Sequence, residues 1–261
     1  MGSKDRGLER TARVVGALFI TATVVDVVGT AVLSPVLSTP VNLITVHANQ
    51  GQVALGGLLQ LIAAFASAGI AVGLYPVLRR HHEALALGAV AFRNMEAVFY
   101  LVGVAGLVAL LTVSQDYVTA GFAGATDLPS AGTVIMAARD ASTILGVIAF
   151  CSGALMYYAV LYQTRLIPRW LSGWGLLGAA LALVGALLVM FRVAALLSTT
   201  QVLLSAAIGV QEMVLAVWLL VRGFNPDVIA SRSGPGPHVV AGPVTAREPE
   251  QRREIARRRG F

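Results

Sequence analysis

Six long apolar stretches run through this chain, and lysine and arginine occur almost only in alternate gaps between them. About 20 mostly apolar residues suffice for a helix to cross a bilayer. The stretches fall near residues 11–33, 52–78, 84–113, 134–162, 175–195 and 201–221. The pattern predicts an all-α fold, a six-helix transmembrane bundle. Only 12% of the residues are charged, against roughly 25% in a soluble domain, which leaves too little polar surface to coat a water-soluble fold. The 27 glycines suit helices that pack backbone to backbone in lipid, and Gly69 and Gly73 form a G-x-x-x-G step.

The distribution of basic residues predicts an orientation. All but three of the 19 lysines and arginines lie in the N-terminal segment, the second and fourth connections, or the C-terminal end and tail. The connections at 34–50 and 114–133 contain none. The three exceptions, Arg93, Arg139 and Arg192, fall inside spans or at their outer ends. The positive-inside rule therefore places both termini in the cytoplasm, and an even number of spans agrees with that. The chain divides into a cytoplasmic N-terminal segment (1–10), the six-helix transmembrane domain (11–224) and a basic cytoplasmic tail (225–261). The basic start is not read as a cleaved signal peptide, because the apolar run is too long and Asp26 interrupts it. A short interfacial piece is expected at 41–46, and Trp170 and Trp174 are expected as interface anchors ahead of the fifth span.

The tail changes composition abruptly to proline, glycine, serine and arginine and is expected to be largely disordered. Residues 247–259 hold six arginines and three glutamates. They predict a short charged helix that touches anionic lipid headgroups, each basic residue contributing about 1 kcal/mol. The net charge of +6 is explained by topology and lipid rather than nucleic acid, since no base-reading motif accompanies it. The expected location is the cell (plasma) membrane, as a multi-pass protein.

Several chemistries lack their residues. Cys151 is the single cysteine, so no disulfide forms within the chain. His81-His82-Glu83 lacks the i, i+4 spacing that sets two histidines on one helix face, and no cluster resembles a zinc site. There is no G-x-S-x-G elbow and no G-x-x-x-x-G-K-[ST] phosphate loop. No cofactor, metal or catalytic residue is expected.

The informative residues are the charges at membrane depth. A charge at the bilayer centre costs about 2.5–3.5 kcal/mol on insertion scales, and such residues usually face the bundle interior, pair, and mark function. At 1.5 Å rise per residue, Asp26 lies in the outer half of the first span. Arg93 lies in the inner half of the third and Glu96 near the midplane, with Glu212 near the middle of the sixth. Arg139 and Asp140 lie toward the outer end of the fourth. Arg93 and Glu96 are three apart and share a face. Glu212 has no basic neighbour in its own span, so its partner comes from another helix or from water, or it stays protonated. Arg139 and Asp140 are adjacent, point in different directions, and are each expected to need another partner.

Three stretches resemble a known family. They are Phe92-Arg93-Asn94-Met95-Glu96-Ala97; Leu161-Tyr162-Gln163-Thr164-Arg165-Leu166-Ile167-Pro168-Arg169-Trp170-Leu171, with Gly175 beyond; and Gln211-Glu212-Met213, followed by Ala216, Trp218-Leu219-Leu220-Val221 and Arg222-Gly223-Phe224. The chain resembles, over about 10–226, the bacterial membrane family called domain of unknown function 4386. The resemblance implies a multi-helix membrane protein and carries no functional residue across. The expectation is an inner-membrane protein with an internal polar site formed by Asp26, Arg93, Glu96, Arg139, Asp140 and Glu212. Its leading reading is a small secondary transporter or channel-like carrier for a small solute or proton. The alternatives are a non-transporting module that binds lipid or a partner, and an intramembrane enzyme acting on a lipid-like substrate.

Overall fold

The structure, a computed structural model, describes residues 3–37, 40–121 and 127–225, with side chains from residue 7 onward. The C-terminal tail and its expected charged helix lie outside the described residues. Seven helices and no strand occur among the described residues: α1 (Ser3–Leu33), α2 (Leu43–Ala48), α3 (Gln50–Leu78), α4 (Glu83–Thr119), α5 (Leu128–Thr164), α6 (Arg169–Met190) and α7 (Thr199–Val221). Six of them, all but α2, are long and apolar enough to cross a membrane. The chain is an all-helical, multi-pass membrane protein.

The helix ends follow from local sequence. Asn42 caps α2 by accepting from the backbone N–H groups of Ile44 and Thr45, and Ser198 caps α7 by accepting from Gln201; each satisfies donors that a helix start leaves open. His82 accepts from the N–H of Leu85 at the start of α4, which gives the histidine of the basic loop a structural partner. Pro76 sits in the last turn of α3, where it removes the hydrogen bond that a residue there would make to the Val72 carbonyl. Arg165 ends α5 in a left-handed conformation, φ 58°.

Some boundaries differ from the hydropathic reading. The α4–α5 connection is shorter than expected, because both helices continue past the apolar run into polar sequence. Helix α6 begins at Arg169 rather than Gly175, so Trp170 and Trp174 lie within its first turns instead of in a loop. Pro168 precedes it with extended backbone and a fixed φ, which starts a helix well. The same helix stops at Met190, short of Ala195, and Arg192 follows in a turn at φ 58°. Hydropathy locates the hydrocarbon-facing residues, whereas capping and turn chemistry locate the ends.

Each span packs against its neighbours in sequence, and α7 packs back against α1, so the six form a closed ring in chain order. A Cβ on Gly73 would lie 2.7 Å from Val15, and one on Gly69 would lie 3.1 Å from Leu18. The expected G-x-x-x-G step is thus where α3 meets α1 closely. At the end of the bundle away from the termini, α2 buries Leu43 and Val46 in a cluster with Leu33, Val53, Leu107 and Leu110. The ring places α4 opposite α7 and α1 opposite α5, which decides what can meet at the centre.

Candidate functional site

Arg93 and Glu96 lie on the inner face of α4. The Arg93 Nη1 donates to Glu96 Oε2 at 3.0 Å, as the three-residue spacing predicts. Ser67 of α3 donates its hydroxyl to the same oxygen at 2.8 Å. The other side of the guanidinium meets α7, where Glu212 Oε1 lies 3.8 Å from Nη2. Glu212 also accepts from the Tyr157 hydroxyl at 3.3 Å and, at 3.5 Å, from Thr23 of α1. The partner that Glu212 lacks on its own helix is therefore supplied across the ring.

All three residues are buried: Arg93 is 2% exposed, Glu96 5% and Glu212 7%. An isolated ion at that burial would be strongly unfavourable, and pairing with added hydrogen bonds makes it tolerable. The Arg93 cation also lies over the Phe150 ring at 4.7 Å and near the Tyr157 ring at 5.9 Å, where the aromatic face attracts it. Its Nε is buried with no hydrogen-bond partner among the described residues. Gly153 makes room for this arrangement: a Cβ there would stand 3.2 Å from Arg93 Cγ and 3.3 Å from the Ala89 carbonyl.

These side chains line a cavity of about 260 Å³ to which every span contributes: α1 through Thr23 and Asp26, α3 through Ser67, α4 through Arg93, Glu96 and Tyr100, α5 through Phe150, α6 through Ala182 and α7 through Ser205 and Glu212. Asp26, half-buried, lines the cavity together with Tyr100. Four of the six residues singled out from sequence thus line one space.

Arg139 and Asp140 do not line it. They border a separate pocket of about 210 Å³ with Thr30, Ser34 and Leu197. The expectation that they could not pair is also corrected: Arg139 Nη1 lies 3.7 Å from Asp140 Oδ1. Adjacent Cα–Cβ bonds diverge by about 100° on a helix, but the arginine side chain is long enough to turn back. Arg139 additionally donates to Gln60 of α3 at 3.4 Å.

Neutral polar residues escaped the sequence reading. Gln211 is wholly buried. It donates to the Leu171 carbonyl of α6 at 3.0 Å and accepts from the Tyr158 hydroxyl of α5. Ser67, Tyr100 and Tyr157 complete the shell around the charges. The available signal was a polar tip on an interior face of an apolar helix, a position that demands a partner. Among the described residues no group of three or more histidine, cysteine or acidic side chains could hold a metal ion.

The arrangement can exchange a proton or admit a small cation, because three carboxylates and one guanidinium line one cavity large enough for several waters. No match to the chain was found among curated proteins or solved structures. A family model does match residues 14–223, most of the transmembrane bundle with the charged centre inside it, and the chain belongs to that family, Domain of unknown function (DUF4386).

Proposed function

We propose that this protein is a small carrier or channel-like secondary transporter of the plasma membrane, acting on a small cationic solute, the proton included. The observation that carries the reading is the single cavity lined by all six spans, with Asp26, Glu96 and Glu212 around it and Arg93 as its one cation. Intramembrane acids in a water-accessible space are the usual parts of ion and proton pathways, and transporter sites lie near the midplane where helices from both halves meet. The excess of carboxylate over guanidinium favours a cation over an anion.

A second reading has its own support. Arg93 and Glu96 form a direct buried pair with a hydroxyl completing it, which suits a staple fixing helix register in a non-transporting module.

One experiment separates the two. Full-length protein is reconstituted into liposomes that contain a pH-sensitive dye. Proton, sodium and methylammonium fluxes are then followed under an imposed potassium diffusion potential. The transport reading expects flux above protein-free liposomes for at least one of these cations, and loss of the pH dependence of that flux in a folded Glu212→Gln variant. Absence of flux for all three, together with a large stability loss in the same variant, supports the staple and overturns transport of these cations.

A further inference from the structure

A third cavity lies where the α5–α6 connection meets the end of α7. It measures about 590 Å³, and its lining includes Arg165, Arg169 and Arg222 together with Trp218 and Phe224. The backbone N–H of Asn225 donates to the Leu166 carbonyl at 2.9 Å, which ties the two segments into one wall. Leu166, Ile167 and Phe224 are buried beneath it, so the floor is apolar and the rim is cationic. Among the described residues, none of the three arginines has a carboxylate within ion-pair distance.

Two of the three guanidinium groups are pre-oriented. Arg222 stacks over Trp218 at 5.2 Å, and Arg169 over Tyr162 at 5.4 Å. Arg165 is held at the left-handed turn that ends α5. Planar guanidinium groups fixed in this way match the oxygens of a phosphate. The start of α6 adds to the same side: Pro168 supplies no side-chain cap, and although the Leu171 N–H turns back to the Pro168 carbonyl, the positive end of the helix favours an anion.

From this geometry we infer that the pocket binds the phosphate of an anionic phospholipid headgroup. The site lies at the ends of the spans, where headgroups are. Trp170 stands 57% exposed beside it, and exposed tryptophan is typical of the membrane–water interface. Basic pockets between membrane helices recognise phospholipid heads. A free phosphate would share the donors but would leave the apolar floor unused. The pocket is separate from the expected role of the tail, because its three arginines, Arg165, Arg169 and Arg222, belong to the bundle.

The test uses the full-length protein in a non-ionic detergent, titrated with phosphatidylglycerol or phosphatidylcholine and read by native mass spectrometry. Each basic contact at a membrane surface is worth about fivefold in affinity. The Arg165→Gln, Arg169→Gln, Arg222→Gln triple variant should therefore bind phosphatidylglycerol on the order of a hundredfold more weakly, with phosphatidylcholine unaffected. Lys4→Gln, Arg6→Gln, Arg10→Gln, which removes the same charge from the N-terminal segment, should change it less than about fivefold. Equal losses in the two variants overturn the pocket. Should the first variant fail to fold, a triple arginine-to-lysine variant keeps the charge and loses the planar fork. It should still weaken phosphatidylglycerol binding measurably, and unchanged binding there overturns the site. Displacement of the lipid by millimolar inorganic phosphate, with phosphate retained by the protein, overturns the lipid as the ligand.

Discussion

Glu96 and Glu212 sit on helices that face each other across the ring, yet both carboxylates reach the same guanidinium, at 3.0 Å and 3.8 Å from Arg93. One side chain thus couples α4 to α7, which are not neighbours in the ring. A fixed charge in that position does two things at once. It neutralises part of the acid at the centre, and it holds the cavity walls at a set distance.

The first prediction concerns that coupling. Removing one partner of a buried pair is worth about 3–5 kcal/mol, because the remaining charge is stranded. Arg93→Met should therefore lower the unfolding midpoint in detergent strongly. Adding Glu96→Gln and Glu212→Gln to it should recover most of the loss. Glu96→Gln alone should cost more than Glu212→Gln alone, since Glu96 has the shorter contact and the Ser67 hydroxyl besides. Equal midpoints for Arg93→Met and the unaltered protein would show that the pair does not hold the bundle.

A second prediction concerns Gln211. Its amide bridges α5 and α6 from a wholly buried position on α7. Gln211→Leu leaves the Tyr158 hydroxyl without its acceptor, which is worth about 1–3 kcal/mol in a buried site. Tyr158→Phe in the same background should cost little more. Thermal unfolding of the two single variants and the double variant gives the coupling, expected at about 1 kcal/mol. Additive losses would mean that the two side chains act independently.

The Arg93–Glu96 pair was readable because both residues belong to one helix and three-residue spacing alone brings them together. The six spans were readable for the same kind of reason, since hydropathy is a local property. That Glu212 shares one interior site with Arg93 and Glu96 was readable from their common membrane depth; that α7 lies opposite α4 was not, because it follows only from closure of the ring. Arg139 and Asp140 failed differently. Backbone direction is periodic and predictable, whereas a four-torsion arginine can fold back onto its neighbour. Gln211, Ser67 and Tyr157 carry no charge, so hydropathy averaged them into apolar helices even though each one settles a buried partner.

A third prediction addresses orientation. The arginine asymmetry implies that both termini face the cytoplasm. In a Cys151→Ser background, cysteines introduced at Ser38 and Thr126 should react with a membrane-impermeant maleimide added to intact cells. A cysteine at Ser231 should react only after lysis. All three positions lie outside the described residues, so the labelling tests the charge rule directly. Labelling of Ser231 from outside would reverse the orientation.

The last prediction tests whether Glu212 is a working group or a fixture. It is 7% exposed, lines the cavity, and is held by the Tyr157 and Thr23 hydroxyls at 3.3 Å and 3.5 Å. Its distance to Arg93, 3.8 Å, is an ion-pair contact without a hydrogen bond. That is the looser of the two carboxylates on the shared guanidinium, and a looser carboxylate is the better placed to exchange a proton or a cation with the cavity. Glutamine keeps the shape and the acceptor oxygen but carries no titratable proton. In the proteoliposome assay, Glu212→Gln should remove the dependence of flux on external pH while lowering the unfolding midpoint only slightly. Glu96→Gln should instead lower the midpoint substantially, because the direct pair with Arg93 is lost. Asp26→Asn, one layer away beside Tyr100, should reduce the flux and leave its pH dependence in place. If Glu212→Gln preserves a pH-dependent flux, the proton is carried elsewhere. If Glu212→Gln destabilises as much as Glu96→Gln and flux is absent throughout, the two carboxylates are equivalent structural partners of Arg93.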